Sequence, residues 1–212
     1  SSLKINSRPE IIELISEGEN LKLTTSGNTI SIVKNFLLAT TKLGPQTYKA
    51  HVALNGIAFP NDSLIWEKTF LPKNHRLEKF LFDGIFKMNP SFFDKSNYKK
   101  EIELHDLQIG YGWLNLNVTG SIQVSRYDFL EGSLTINLQN WRRILSMIEK
   151  EQFLEKKLSK KIKGAITFIA SQSDFANKDV LLPITIKNGQ IFLGPLEITK
   201  FIKLDILTQL VL

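Results

Sequence analysis

A chain of 212 residues, 42% hydrophobic and 23% charged, is long enough to bury a sizeable core and too apolar to be a disordered tail. Its 27 basic and 21 acidic residues leave a net charge of +6, which suits an anionic partner such as a phospholipid headgroup, lipopolysaccharide or nucleic acid, and equally a Lys-rich surface that serves solubility. Cysteine is absent, which excludes a disulfide framework, thiolate metal sites and cysteine nucleophiles.

The chain opens with Ser1 rather than Met, so an N-terminal piece is expected to have been cut away, with room in it for a signal peptide or membrane anchor. No apolar run reaches the roughly 18–20 residues that span a bilayer. With no internal repeat and no flexible linker to divide it, the stretch 1–212 reads as a single soluble β-rich domain.

Taken in order, "SRPEIIELISEG" (7–18) fits a short helix with Ser7 as N-cap and Pro9 in its first turn, or a strand, since Ile and Leu dominate it. "LKLTTSGNTISIV" (21–33) reads as a hairpin, with Leu21 and Leu23 alternating before Ser-Gly-Asn and Ile30 and Ile32 after it. A further alternating piece (48–59) ends at Pro60, which has no N–H to give a ladder. Residues 60–100 are crowded with Phe and broken by Pro60, Pro72 and Pro90, and predict long connections with short elements. From Glu101 the two-residue period returns through Leu114, Leu116 and Val118, then Ile122 and Val124, then Leu134, Ile136 and Leu138. Such alternation marks antiparallel strands with one buried face, and Gly120 and the "RYDFLEG" loop serve as separators in a meander.

An amphipathic helix is predicted over about 140–162, with Asn140 as N-cap, Trp141, Ile144, Leu145 and Ile148 on one side, and Gly164 as its stop before the next apolar run, "AITFIA". Near the C-terminus, Asn188-Gly189 marks a two-residue hairpin turn. That register pairs Lys187 with Gln190, Ile186 with Ile191, Thr185 with Phe192 and Ile184 with Leu193. Ile184, Ile186, Ile191 and Leu193 then share a buried face, and Gly194-Pro195 ends the ladder. The fold class expected is α+β, mostly β: a curved antiparallel sheet of meanders and hairpins with one main helix covering it.

Catalytic signatures are missing. His51, His75 and His105 stand apart in sequence, outside any metal-binding helix motif, and read as surface or satisfied-core residues. There is no Gly-x-Ser-x-Gly elbow. Glu101 and Glu103 share a strand face behind Lys99 and Lys100 and read as the solvated side of a half-buried strand rather than an acid–base pair. "GYGWLN" (110–115) lacks the third glycine of a dinucleotide fingerprint and runs into strand, so Gly110 and Gly112 read as a bend or bulge beside packing Tyr111 and Trp113. No cofactor, metal site or enzymatic activity is expected.

Two surfaces remain. Lys156, Lys157, Lys160, Lys161 and Lys163, with Arg142 and Arg143 at the other end, give the predicted helix a basic flank. It suits an anionic membrane surface or a phosphate backbone, or is simply the charged side of a core-facing helix. Nucleic acid is the least favoured partner, since no binding motif accompanies the lysines and no aromatics interleave with them. The second surface is a set of phenylalanines, Phe59, Phe70, Phe80, Phe82, Phe86, Phe92 and Phe93. They are expected in loops that line or cover a hydrophobic-ligand site, or else as ordinary core.

The order "GSLTINLQNW", helix, Gly-led strand and "LLPITIKNGQIFLGPLEI" resembles, over roughly 112–198, an alphaproteobacterial family of inner-membrane-anchored envelope proteins catalogued as a domain of unknown function. The resemblance implies an N-terminal anchor, a β-rich domain on the periplasmic side of the inner membrane, and similarity to β-sheet envelope proteins that handle lipids. It implies no catalytic residues. The expected function is non-enzymatic binding or handling of a lipid or other hydrophobic ligand. The alternative is a structural module of envelope assembly that binds an envelope protein through a sheet edge.

Overall fold

The computed structural model describes residues 2–7, 12–25, 28–58, 77–87, 101–125, 129–150, 156–172 and 179–199. These form an open, curved, antiparallel sheet and two helices, a mostly β α+β fold as the alternation predicts. Its strands are β1 (Ser2–Ser7), β2 (Ile12–Thr25), β3 (Asn28–Gly44), β4 (Thr47–Ala58), β5 (Leu77–Lys87) and β6 (Glu101–Tyr111), followed by β7 (Leu114–Val124), β8 (Leu130–Gln139), β9 (Asp179–Lys187), β10 (Gln190–Leu193) and β11 (Leu196–Thr199). Helices α1 (Trp141–Lys150) and α2 (Lys156–Ser171) are inserted between β8 and β9. Strand order in the sheet follows chain order from β1 to β11, so the whole is one meander.

Cross-strand register carries the two-residue alternation from one end of the sheet to the other. On one face Val52 lies opposite Leu38 and Phe82, Phe82 opposite Leu107, and Leu107 opposite Val118. Val118 in turn lies opposite Ile136, and Ile136 opposite Leu182. The other face carries Lys49, His51, Asp83, Asp106, Gln108, Asn117, Thr119, Ser121, Thr135 and Asn137, with Leu37, Ala53, Leu81 and Ile85 among them over β3–β5.

The helices pack on the apolar face at the C-terminal end of the sheet. Trp141, Ile144 and Leu145 of α1 and Ala165, Ile166 and Ala170 of α2 bury themselves with Leu138, Val180, Leu182 and Leu193. This cluster draws on β7–β11 and takes no residue from β2–β6.

The closing hairpin forms in the register expected, Lys187 to Gln190 through Ile184 to Leu193. Asn188 and Gly189 take φ of 49° and 74°, the paired positive values of a tight primed turn. Ile186 and Leu193 are buried on the helix-covered face, while Ile184 and Ile191 are half-buried there.

Four expectations are corrected. The helical option for 7–18 gives way to strand over 12–18, where β2 pairs with β1 on one side and β3 on the other. The region 60–100 contains an 11-residue strand, β5. Gly120 lies inside β7 rather than between strands: with φ of 133° it lets β8 approach so closely that a Cβ there would sit 2.2 Å from the Ser133 carbonyl oxygen. The single helix over 140–162 is replaced by two, and α2 runs through Gly164 and "AITFIA" to Ser171.

The start of α1 is where the sequence puts it, but its chemistry differs. Asn140 has φ of 56°, its carbonyl accepts from Arg143 N at 2.9 Å, and its side-chain Nδ2 donates to the Trp113 carbonyl at 3.1 Å. Asn140 therefore ties α1 to the β6–β7 turn through its side chain.

Candidate functional site

β5 reads "LEKFLFDGIFK", in which Phe80, Phe82 and Phe86 recur at even spacing and so share the apolar face. Gly84 stands between the last two on that face. Because it has no side chain, the Phe82 and Phe86 rings stack across it, with centroids 5.2 Å apart and planes at 19°. A Cβ on Gly84 would lie 2.9 Å from the Phe82 ring and 2.6 Å from the Glu103 carbonyl oxygen.

Around these rings lie Phe36, Val52, Leu54, Leu107 and Ile109, all half-buried, with Leu38 39% and Ile102 37% exposed. An apolar surface therefore continues across β3–β6, away from the helices. Phe80, Phe82 and Phe86 stand on a strand, not in loops as expected, and the structure brings them together. Phe59, Phe70, Phe92 and Phe93 lie outside the described residues.

The opposite face over the same strands is mixed: Leu37, Ala53, Leu81 and Ile85 share it with a charged cluster. Register sets His51 across from Asp83, and His51 Nδ1 lies 3.0 Å from Asp83 Oδ2. A bulge between Leu104 and Leu107 turns both His105 and Asp106 onto this face. His105 Nδ1 reaches Asp83 Oδ1 at 3.4 Å, His105 Nε2 lies 3.3 Å from Glu103 Oε1, and Lys49 Nζ is 3.7 Å from Asp83 Oδ1. Partial burial pushes the Asp83 carboxyl up, but the His51 hydrogen bond and the charges of Lys49, His51 and His105 together outweigh it and hold it below the ordinary carboxylate value. Asp106 accepts from Gln108 Nε2 at 2.7 Å and from Asn117 Nδ2.

The cluster joins three strands on an open strand surface, with His105 39% and Glu103 51% exposed at their side chains. An Asp-oriented imidazole is a possible proton carrier. Here it faces solvent, and neither of the two pockets beside α2 is lined by any of these residues. Among the described residues no group of three His, Asp or Glu is arranged to hold a metal ion. Glu101 sits 2.9 Å from Lys87 Nζ, and this hydrogen bond raises the exposed lysine's pKa. His75 lies outside the described residues.

"GYGWLN" forms the β6–β7 hairpin turn rather than a bulge, with Gly112 at φ of 57°, Tyr111 buried and Trp113 packed against the helix cluster. The Arg143 guanidinium lies 4.4 Å over the Trp113 ring and that of Arg142 lies 4.5 Å over Trp141. The arginines thus belong to α1, apart from the lysines of α2. Lys160, Lys161 and Lys163 are exposed on α2; Lys156 and Lys157 are in its first turn, their side chains outside the described residues.

Sequence reasoning missed two things. The His51–Asp83–His105 cluster depends on the register of β4, β5 and β6, and no single segment signals it. The aromatic face of β5 was legible as Phe80-x-Phe82-x-Gly84-x-Phe86, a period of two hidden between proline-rich flanks.

No helix among the described residues is long and apolar enough to cross a membrane. Comparison with curated proteins returns no match. A family model does match, over residues 96–201, from just ahead of β6 to just past β11 and including both helices. The chain belongs to that family, described as uncharacterized protein conserved in bacteria (DUF2125).

Proposed function

We propose that this protein is a non-enzymatic component of the bacterial envelope that binds or carries a lipid or other hydrophobic molecule on the apolar face of its curved sheet. One observation carries the reading: Phe80, the Phe82–Phe86 stack, Val52, Leu54, Leu107 and Ile109 form a contiguous, half-exposed apolar surface that the helix cluster leaves aside. Surfaces of this kind cost free energy in water, about 25 cal/mol for each Å² of apolar area, which a hydrophobic ligand recovers on binding. The periplasmic side of the inner membrane, with an N-terminal anchor, is the location proposed. It is supported by the motif resemblance to alphaproteobacterial anchored envelope proteins and agrees with membership of a bacterial family.

The test is to purify the protein from bacterial membranes, analyse the extract for co-purifying lipid, and titrate the stripped protein with a fluorescent fatty acid. Saturable binding, weakened roughly tenfold or more by Phe82→Asp, is the expected result. A lipid-free protein that ignores the probe overturns the reading.

A second reading rests on the edges. β1 and β11 are the end strands of the described sheet, each paired on one side, and such an edge accepts a strand from a protein partner. Affinity capture that returns one stoichiometric envelope protein, with no lipid, would favour this version.

A further inference from the structure

The exposed side of α2 is built unlike that of an ordinary surface helix. Its sequence, "KKLSKKIKGAITFIAS", holds five lysines, all in its first eight residues, and no Asp or Glu. The second half is apolar, and its buried stripe, Ala165, Ile166 and Ala170, is already spent on the core. Phe168 belongs to the other stripe: it is 57% exposed, one of the most exposed large apolar side chains among the described residues. It lies eight residues after Lys160 and seven after Lys161, so helical geometry puts all three on one side.

Beside this stripe runs a groove of about 460 Å³ between α2 and the β10–β11 turn. Phe168, Ile169, Leu193, Pro195 and Leu196 make its apolar wall, and Lys160 and Lys161 stand at one end. Gly164 opens the helix side of the groove, since nothing lies within 4 Å of where its Cβ would be. Glu197 is on the opposite face of β11, across from Phe192, so by register it is turned away from this wall.

We propose that α2 and the β10–β11 turn dock the protein on an anionic phospholipid bilayer. Lys160, Lys161 and Lys163 meet the phosphate-bearing headgroups, while Phe168 and Pro195 enter the interfacial layer and the groove takes the upper part of an acyl chain. Charge complementarity selects the occupant: a helix of five lysines without a carboxylate gains from each anionic headgroup it meets, and an exposed aromatic ring is stabilised at the bilayer interface rather than in water. This surface shares no residue with the ligand face of β3–β6 and does not depend on it.

The experiment is flotation of the full chain with vesicles of pure phosphatidylcholine and of phosphatidylcholine mixed with phosphatidylglycerol. Binding to the mixed vesicles is expected, and weakening as salt is raised. Lys160→Gln with Lys161→Gln is expected to reduce it roughly tenfold, and Phe168→Ser severalfold, with circular dichroism and melting temperature unchanged because all three side chains are exposed. Phe82→Asp, the variant that tests the sheet face, should float like the wild type, so failure of either idea is visible without the other. Equal binding to both vesicle types, or full binding by the double Lys variant, overturns the proposal. So does a surface that binds free fatty acid or a second copy of the chain and no vesicle.

Discussion

Asp83 gathers charge from both neighbouring strands: His51 and Lys49 from β4, His105 from β6. Its folded pKa lies below 3.8, so its stabilising contribution is complete above that value and is lost as pH falls through the lower folded one. Asp83→Asn should therefore destabilise the protein by about 0.5–1 kcal/mol at neutral pH, modest because the partners are partly solvated. Urea unfolding of both proteins should show this gap narrowing as pH is taken below 3.8; a gap that is constant with pH would contradict the assignment. One residue along, Gly84→Ala would push a Cβ against the Glu103 carbonyl and the Phe82 ring, and should cost about 1–3 kcal/mol in the same assay. Neither position was legible as special in the sequence. Asp83 acquires its partners only through register, and Gly84 its role only once Phe82 and Phe86 lie on one face.

Among the elements, the β9–β10 hairpin was readable in full because Asn188-Gly189 fixes both the turn and the register. Gly189 has φ of 74° and its N–H donates to the Leu130 carbonyl at 3.0 Å. Gly189→Val should lower stability by about 1–2 kcal/mol, the cost of a β-branched residue in left-handed backbone, seen as a clear fall in melting temperature. Helix α2 was misread because "AITFIA" is short, apolar and rich in β-branched residues, a run whose periodicity fits strand as well as helix. Glycine beside such a run suggested a stop. In the structure Gly164 is inside the helix, exposed, with free space at its Cβ position. Gly164→Ala should therefore raise stability by about 0.5–1 kcal/mol, and a lower melting temperature would argue against a continuous helix there. β5 escaped for a different reason: proline and phenylalanine crowd its flanks, and composition there outweighed an alternation of only four positions, residues 80 to 86.

At the scale of the molecule, a meander of antiparallel strands gives a sheet with one apolar face and one on which charged and polar residues mix with a few apolar ones. Two helices too short to cover it leave the apolar face over β3–β6 half-exposed. That division was implicit in the alternation from Glu101 onward, and the fold class followed from it. What the sequence could not place was the position of the helices along the sheet: they pack on β9–β11, the strands that follow them in the chain, and the apolar stripe of a helix does not itself name the strands it covers. This placement is what separates a covered core from an available surface, and the proposed ligand face depends on it. The most direct measurement is equilibrium titration of the purified, delipidated protein with a fluorescent fatty acid, run beside Phe82→Asp and the Lys160→Gln/Lys161→Gln double variant. Saturable binding that Phe82→Asp weakens roughly tenfold or more, and that the lysine variant retains, is the result expected. Equal binding by all three proteins, or none by the wild type, would contradict it.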